Sequence, residues 1–148
     1  MSRWVHNLNI SHTKITNKGL KFLGNVNILK LTDNNNITDS GLRHVLNVNT
    51  LHINYCTKIT DLGLKILGIN GKIKKLILDG NKNITDKVIQ YLGYNEYIQE
   101  LDLCFCKNIT DAGVKRLGNI KTLNLQGCNI TNNCIDFLGN VKYKKVTF

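Results

Sequence analysis

Long apolar runs are missing from this 148-residue chain. No stretch approaches the roughly 18 consecutive apolar residues that suggest a membrane-spanning helix. The first residues, Met1 to His6, also lack the apolar run of a signal peptide. We therefore expect an intracellular protein, placed in the cytoplasm or alternatively in the nucleus, with no membrane partner.

Catalytic signatures are missing as well. The four histidines stand at no spacing that suggests a metal or catalytic partner. The chain has no Gly-x-Ser-x-Gly turn, no phosphate-binding loop and no His-Glu metal-binding helix. We expect no enzyme activity, no cofactor and no bound metal.

Acidic residues are scarce, at 10 against 20 lysines and arginines, which gives a formal net charge of +10. This balance makes a basic polyanion- or nucleic-acid-binding protein the alternative function. Such binding needs lysines gathered on one face, ideally with aromatic residues among them. Here the lysines divide between the outward faces of predicted helices and clusters around residues 72–75 and 142–145. We therefore expect a protein partner rather than nucleic acid.

One sequence pattern is present six times, most clearly as Cys106 to Gly118. The isoleucine of its Ile-Thr step stands at positions 15, 37, 59, 84, 109 and 130, so the spacing is 21 to 25 residues. A Leu-x-Leu or Leu-x-Ile triplet precedes each copy, and we interpret Val146–Phe148 as a seventh triplet. This period predicts stacked repeats, about six plus a final strand, in a single domain over residues 1–148.

Each repeat has a strand half and a helix half. The triplet alternates inward and outward, which predicts a short strand with its leucines in the core. A Thr-Asp or Thr-Asn pair such as Thr60-Asp61 suits a helix start, and Gly63 to Leu67 supplies an apolar helix face. We expect the residue after the last leucine to end the helix in the left-handed conformation. These residues are Gly24, Asn47, Gly68, Gly93, Gly118 and Gly139.

No single copy buries enough apolar surface to offset the entropy of ordering it, so neighbouring copies must share faces. The expected fold is an α/β solenoid, a right-handed β/α superhelix. A short parallel sheet should line its concave side, and helices should cover its convex side.

The pattern Leu-x-Leu-x-x-Cys-x-x-Ile-Thr-Asp-x-Gly-Leu-x-x-Leu-Gly resembles the cysteine-containing subfamily of leucine-rich repeats. The match runs from about residue 7 to residue 148. Cys56, Cys106 and Cys128 occupy the subfamily's cysteine position, while Thr13, Asn34 and Asn81 replace it in other copies. The resemblance implies a protein-interaction module, best known as the substrate-recognition part of F-box proteins in ubiquitin ligases. No F-box module is visible, because only six residues precede the first strand.

The five cysteines are expected to be buried, reduced thiols. Cys104 and Cys106 resemble a chelating pair. Strand alternation, however, points Cys104 to the concave face and Cys106 into the core turn. Cys134 falls at an inward helix position. A disulfide or metal site is the alternative.

A partner surface is predicted on the concave face, where the repeat leaves residue choice free. Asp79, Glu100 and Asp102 form an acidic patch on neighbouring strands of an otherwise basic chain. Apolar side chains lie beside it, and such a combination is typical of interface anchors. They are Tyr55, Ile77, Cys104 and Phe105. The alternative is that the aromatic residues pack on their neighbours and the acids offset Lys75.

The ends of the stack carry no recognisable polar cap. Trp4 and Val5 are the candidates to cover the first strand. The last strand has no helix after it, so we expect an open edge and self-association through the C-terminal end.

Overall fold

A computed structural model describes residues 6–147. Seven short strands form one parallel sheet and lie in the sheet in the order of the chain. The strands are β1 (Asn7–Asn9), β2 (Ile28–Lys30), β3 (Thr50–His52), β4 (Lys75–Ile77), β5 (Glu100–Asp102), β6 (Thr122–Asn124) and β7 (Tyr143–Lys145). Parallel neighbours in chain order confirm the predicted α/β solenoid. We call the sheet side the concave face and the helix side the convex face.

The leucines of successive repeats stand in register across the sheet. Leu8 is aligned with Leu29, and the same column continues through the leucines of β3, β4, β5 and β6. From Leu29 onward these side chains are buried in a single core cluster. The predicted inward positions are therefore confirmed, although each strand begins one residue before its triplet.

The prediction of the seventh strand is wrong by two residues. Lys144 pairs with Leu123, so the apolar pattern of the earlier strands becomes Lys144, Lys145 and Val146. Val146 is partly buried against the core, whereas Lys144 is exposed. The lysine in the leucine column conceals the repeat from a search for apolar triplets.

The helices differ in length between repeats. They are α1 (Asn17–Leu20), α2 (Asp39–Leu42), α3 (Asp61–Asn70), α4 (Asp86–Tyr94), α5 (Asp111–Val114) and a 3₁₀ helix (Asn132–Leu138). Among the α-helices only α3 and α4 exceed two turns, and they lie in the two repeats that are 25 residues long. None of the helices between residues 6 and 147 is long and apolar enough to cross a membrane.

The Thr-Asp pair joins neighbouring repeats as well as starting helices. The Thr60 hydroxyl accepts from the Leu62 amide at 3.2 Å, as predicted for a helix cap. The Asp61 carboxylate instead accepts from the Thr85 amide at 2.8 Å and the Thr85 hydroxyl at 2.6 Å. Asp39, Asp86 and Asp111 bond the next threonine in the same way. A ladder of carboxylates thus runs along the helix starts.

The prediction that the residues ending the helices are left-handed is wrong. The only glycines of residues 6–147 with positive φ are Gly80 and Gly127, and the asparagine at 47 is also not left-handed. Gly68 is required for a different reason, because a Cβ there would lie 2.8 Å from the Tyr91 backbone. Gly93 meets the Arg116 carbonyl in the same manner. These glycines let neighbouring repeats approach closely.

From the second repeat to the sixth, the turn after the strand is closed by a buried polar group. The Cys56 thiol donates to the Leu31 carbonyl at 3.3 Å, and Asn81 donates to the Ile53 and Leu78 carbonyls at 2.8 Å. Burial raises the pKa of Cys106 and of Cys128 to about 12, so both remain thiols and donors. All five cysteines are buried and unbridged, and Cys134 points inward as predicted.

The first and last repeats bury their core positions less completely than the middle repeats do. Trp4 and Val5, the predicted N-terminal cover, lie outside the described residues, as does Phe148. Leu8 and Ile10 of the first repeat are only partly buried. At the other end, Lys144 places a charge in the core column, and its ammonium lies 3.4 Å from the Leu138 carbonyl.

Candidate functional site

The concave face is formed by the outward-pointing residues of the strands and the residues that follow them. Ile77 and Asp102 occupy paired positions on β4 and β5. Asp79 follows β4 two residues later. Neighbouring strands lie about 4.8 Å apart, so the acidic and apolar groups predicted from the sequence share one surface.

Asp79 is the least satisfied acidic group on this face. Its Oδ2 accepts from the Tyr55 hydroxyl at 3.3 Å, while Oδ1 is buried with no hydrogen-bond partner among residues 6–147. Loss of solvent raises the pKa of Asp79, the Asp102 charge raises it further, and the Tyr55 hydrogen bond opposes both. Asp79 also raises the pKa of Tyr55. Because Oδ1 has almost no exposed surface, a partner can approach this carboxylate only at Oδ2.

Asp102 is held in a defined orientation. Its Oδ1 accepts from the Cys104 amide at 2.9 Å, and its Oδ2 accepts from the Asn124 side chain at 3.0 Å. Each carboxylate oxygen has more than one lone pair, so a partner can still bond to this group.

Two of the residues predicted to contact a partner, Glu100 and Cys104, offer less charge or exposed surface than the sequence suggested. Glu100 forms an ion pair with Lys75, with Nζ and Oε2 at 2.7 Å, so most of its charge is offset locally. This is the alternative considered above for the acidic residues. Cys104 is only 8% exposed, which leaves little of it for a partner to contact.

The residue after each strand turn has a special backbone conformation. His12, Asp33, Tyr55 and Phe105 have φ values of 54° to 56°, and glycines occupy the equivalent positions 80 and 127. Left-handed backbone is costly for an aromatic residue. The sequence contained a signal for this conformation, because two of the six positions are glycine, but the prediction treated them only as surface positions.

Each of the two aromatic rings lies over the glycine of the next repeat. The Tyr55 ring covers Gly80 and the Phe105 ring covers Gly127, so closely that neither glycine could carry a Cβ. Tyr55 remains 45% exposed and Phe105 49% exposed. The rings therefore pack on their neighbours, as the alternative held, and still present apolar surface at the edge of the concave face.

The site is a surface rather than a pocket. A depression of about 80 Å³ lies between Lys75, Ile77, Glu100, Asp102, Thr122 and Asn124. This volume is well below the roughly 300–1,000 Å³ typical of small-molecule sites. Within residues 6–147, no three His, Cys, Asp or Glu side chains are placed to hold a metal ion. The arrangement provides hydrogen-bond acceptors and apolar contacts, which suit binding.

His52 adds a group that responds to charge on this face. It stands opposite Ile77 in the sheet. Partial burial lowers its pKa, the positive charges of Lys30 and Lys75 lower it further, and Asp102 opposes them. His52 therefore lies among charges of both signs, and the two lysines act on it more strongly than Asp102 does.

Comparisons with known proteins agree with this architecture. The leucine-rich repeat model matches residues 2–24, 25–45, 94–118 and 119–135, together more than half of the chain. The chain belongs to the leucine-rich repeat family. Members of this family generally mediate protein–protein interaction and are typically binding scaffolds without catalytic activity. Residues 46–93 fall outside the matched ranges, yet their strands β3 and β4 lie in the same parallel sheet as the others.

A solved structure supports the fold alone. An internalin from Listeria monocytogenes superposes with a TM-score of 0.63 at 22% identity over 96% of this chain. The chain spans 47% of the length of that internalin chain. No curated protein matches the sequence.

Proposed function

We propose that this chain is a protein-interaction module whose concave face binds a basic or amphipathic segment of a protein partner. The observation that carries the proposal is the pair of carboxylates on neighbouring repeats of the concave face, close enough that the Asp102 charge raises the pKa of Asp79. A lysine or arginine of a partner could bond to the remaining lone pairs of Asp79 Oδ2 and of Asp102, and would offset the repulsion between the two charges.

The surroundings of Asp79 support the same chemistry. Asp102 lies on the neighbouring strand, and its charge adds to the raised pKa of Asp79. Ile77 is half-buried between them, and Phe105 exposes half of its ring at the edge. An apolar anchor beside paired acidic groups fits an amphipathic segment with alternating basic and apolar side chains.

The finer family placement is part of this proposal. Three repeats carry a cysteine whose thiol bonds a carbonyl of the preceding repeat, and this supports membership of the cysteine-containing subfamily. That placement suggests substrate recognition in a ubiquitin ligase. Capture of the wild-type protein from cells, probed for ubiquitin-ligase subunits, tests this context separately from the surface itself.

The concave surface can be tested with a displayed library of random peptides. Wild-type protein should select peptides rich in lysine, arginine and apolar residues. The double variant Asp102→Asn, Phe105→Ser should lose these peptides by about tenfold or more, since it removes a charge-assisted bond and an anchor.

A matched control is available on the convex face. Asp136 and Phe137 form an acidic and aromatic pair on the 3₁₀ helix, and Asp136→Asn with Phe137→Ser changes the same residue types. Selected peptides should bind this control as they bind the wild type. Equal binding to both double variants, with both folded by circular dichroism, would refute the concave site.

A further inference from the structure

A second candidate site lies on the convex face, away from the acidic residues of the sheet. A cleft of about 350 Å³ is formed between the first two repeats, where α1 and α2 run side by side. Its lining consists of Asn17, Lys18, Lys21, Ser40, Arg43 and His44. Three of these are permanently cationic and none is acidic, so the cleft concentrates positive charge.

The carboxylate ladder changes at this cleft. The first position of α2, α3, α4 and α5 is an aspartate, but α1 begins with Asn17. Asn17 keeps the same structural role, because its Oδ1 accepts from the Thr38 amide at 3.1 Å and its Nδ2 donates to Thr38 and Ser40 at 2.8 Å. At the cleft, Asn17 therefore makes the hydrogen bonds that an aspartate makes in later repeats, but it adds no negative charge.

The nearest ladder carboxylate is already occupied. Asp39 at the start of α2 accepts from the Thr60 amide at 2.8 Å and from the Thr60 hydroxyl at 2.7 Å. Both of its oxygens are directed to the third repeat. The cations of the cleft therefore have no carboxylate of their own layer as a counter-charge.

Three cations farther along the convex face contact aromatic residues. Lys65 lies 4.9 Å from the centre of the Tyr91 ring, and Lys115 lies 5.0 Å from that of Phe137. Arg116 donates to the Tyr94 hydroxyl at 2.7 Å. Lys18, Lys21 and Arg43, by contrast, are exposed and make no ion pair, hydrogen bond or ring contact through their side chains with residues 6–147.

We propose that this cleft binds a cluster of phosphate groups, either on a soluble molecule or on a lipid headgroup. The Arg43 guanidinium can bond a phosphate with two parallel hydrogen bonds, and the two lysines add point charges. The volume lies in the range of small-molecule sites. The site is independent of the concave face and of the protein-interaction function.

Phe22 bears on the source of the phosphates. It follows Lys21 directly and is 86% exposed, the highest exposure of any large apolar residue in the described chain. An exposed aromatic ring beside cations suits the boundary between lipid headgroups and acyl chains. A soluble phosphate compound has no acyl chain that would contact this ring.

Binding can be measured with two defined probes, inositol hexakisphosphate in solution and phosphatidylcholine vesicles containing phosphatidylinositol bisphosphate. The triple variant Lys18→Gln, Lys21→Gln, Arg43→Gln should bind both probes at least about 100-fold more weakly than the wild type, since each charged bond lost accounts for about tenfold.

The control removes the same charge elsewhere on the convex face. Lys65→Gln, Lys87→Gln, Lys115→Gln should weaken binding by less than about tenfold, because only long-range attraction is lost. Equal losses in the two triple variants would overturn the proposal. A wild-type protein that binds neither probe, or binds duplex DNA more tightly than either, would also overturn it.

Phe22→Ser separates the two sources. If lipid headgroups are bound, this variant should lose vesicle binding and keep its affinity for inositol hexakisphosphate. If a soluble compound is bound, both affinities should stay unchanged.

Discussion

At the scale of single residues, the aspartates of this protein perform two opposite roles. Asp86 accepts from the Thr110 amide at 2.9 Å and the Thr110 hydroxyl at 2.6 Å, so its charge connects one repeat to the next. Asp79 on the concave face has one unsatisfied oxygen and a raised pKa. The same residue type thus stabilises the stack at one position and is available for a partner at the other.

Replacement of a ladder carboxylate should destabilise the fold. Asp86→Ala leaves a part-buried amide and hydroxyl of Thr110 without their acceptor, which should cost about 1–3 kcal/mol in the free energy of unfolding. Urea denaturation measures it. Asp136→Ala, an exposed aspartate on the 3₁₀ helix, should change stability by less than about 0.5 kcal/mol. Similar effects of the two variants would contradict the role of the ladder.

Asp79 should make stability fall as the pH rises. Its folded pKa lies above the ordinary value of 3.8, so the folded state holds the proton more tightly than the unfolded state. Stability contributed by the protonated form is present below the ordinary pKa and is lost as the pH rises through the raised one. Asp79→Asn should remove this dependence and stabilise the protein at neutral pH.

Thermal unfolding across the acid range tests the sign of this effect. Asp111 provides the opposite case, because hydrogen bonds from the Thr131 hydroxyl and amide lower its pKa. The stability contributed by ionised Asp111 is fully present above the ordinary pKa of the group and is lost as the pH falls through the lowered pKa. A pH profile unchanged by Asp79→Asn would show that this carboxyl is not desolvated.

At the scale of elements, close contact between helices decides which residues are permitted. A glycine follows the last leucine in five of the six repeats, but its environment changes along the stack. A Cβ at Gly93 would overlap the Arg116 carbonyl, whereas one at Gly139 would lie 3.8 Å from the Asp136 carbonyl. The next repeat creates the requirement, and Gly139 is followed by no further helix in the described chain.

The two glycines should therefore respond differently to the same change. Gly93→Ala should destabilise the protein by about 1–3 kcal/mol, because the backbone of α4 and the segment after α5 must separate. Gly139→Ala should be neutral or stabilising by a few tenths of a kcal/mol, since it restricts only the unfolded chain. Chemical denaturation of both variants gives the comparison, and equal losses would argue against close packing as the cause.

At the scale of the whole molecule, the described residues present two chemically different faces, and β7 is an edge strand of their sheet. The concave face carries the acidic and apolar groups around Asp79, and the convex face of the first two repeats carries three cations that pair with no group among residues 6–147. The C-terminal edge strand has Lys144 in the column that leucines occupy in the six preceding strands. Charged residues on an edge strand disfavour pairing with a second chain.

Lys144 should limit self-association through this edge, which remains a prediction for the wild-type protein. Lys144→Leu extends the apolar column to the edge strand. The average molar mass of this variant should therefore rise more steeply with concentration than that of the wild type. Light scattering over a wide concentration range measures the difference. Lys142→Leu, outside the strand, serves as the control, and an equal rise in both variants would show that the added leucine acts without strand pairing.

The period of the sequence by itself determined the fold, because leucines at a spacing of 21 to 25 residues can be buried only by stacking. It also predicted which leucines point inward, where the turn cysteines lie, and that Asp79 and Asp102 share the concave face of neighbouring repeats. Only the tertiary structure decided which charges are free. Glu100 meets Lys75, Asp39 meets Thr60, and Lys65 meets Tyr91 across repeats.

These partners are about one repeat apart in the chain, and side-chain geometry rather than the period selects them. The sequence predicted that the glycines end helices, whereas the structure shows that they allow close contact between repeats. It also predicted an apolar seventh strand, whereas Lys144 occupies the leucine position of that strand. The repeat defines which positions face a neighbour. The atoms of that neighbour decide whether a glycine is required, whether a carboxylate is satisfied and whether a lysine remains available to a ligand.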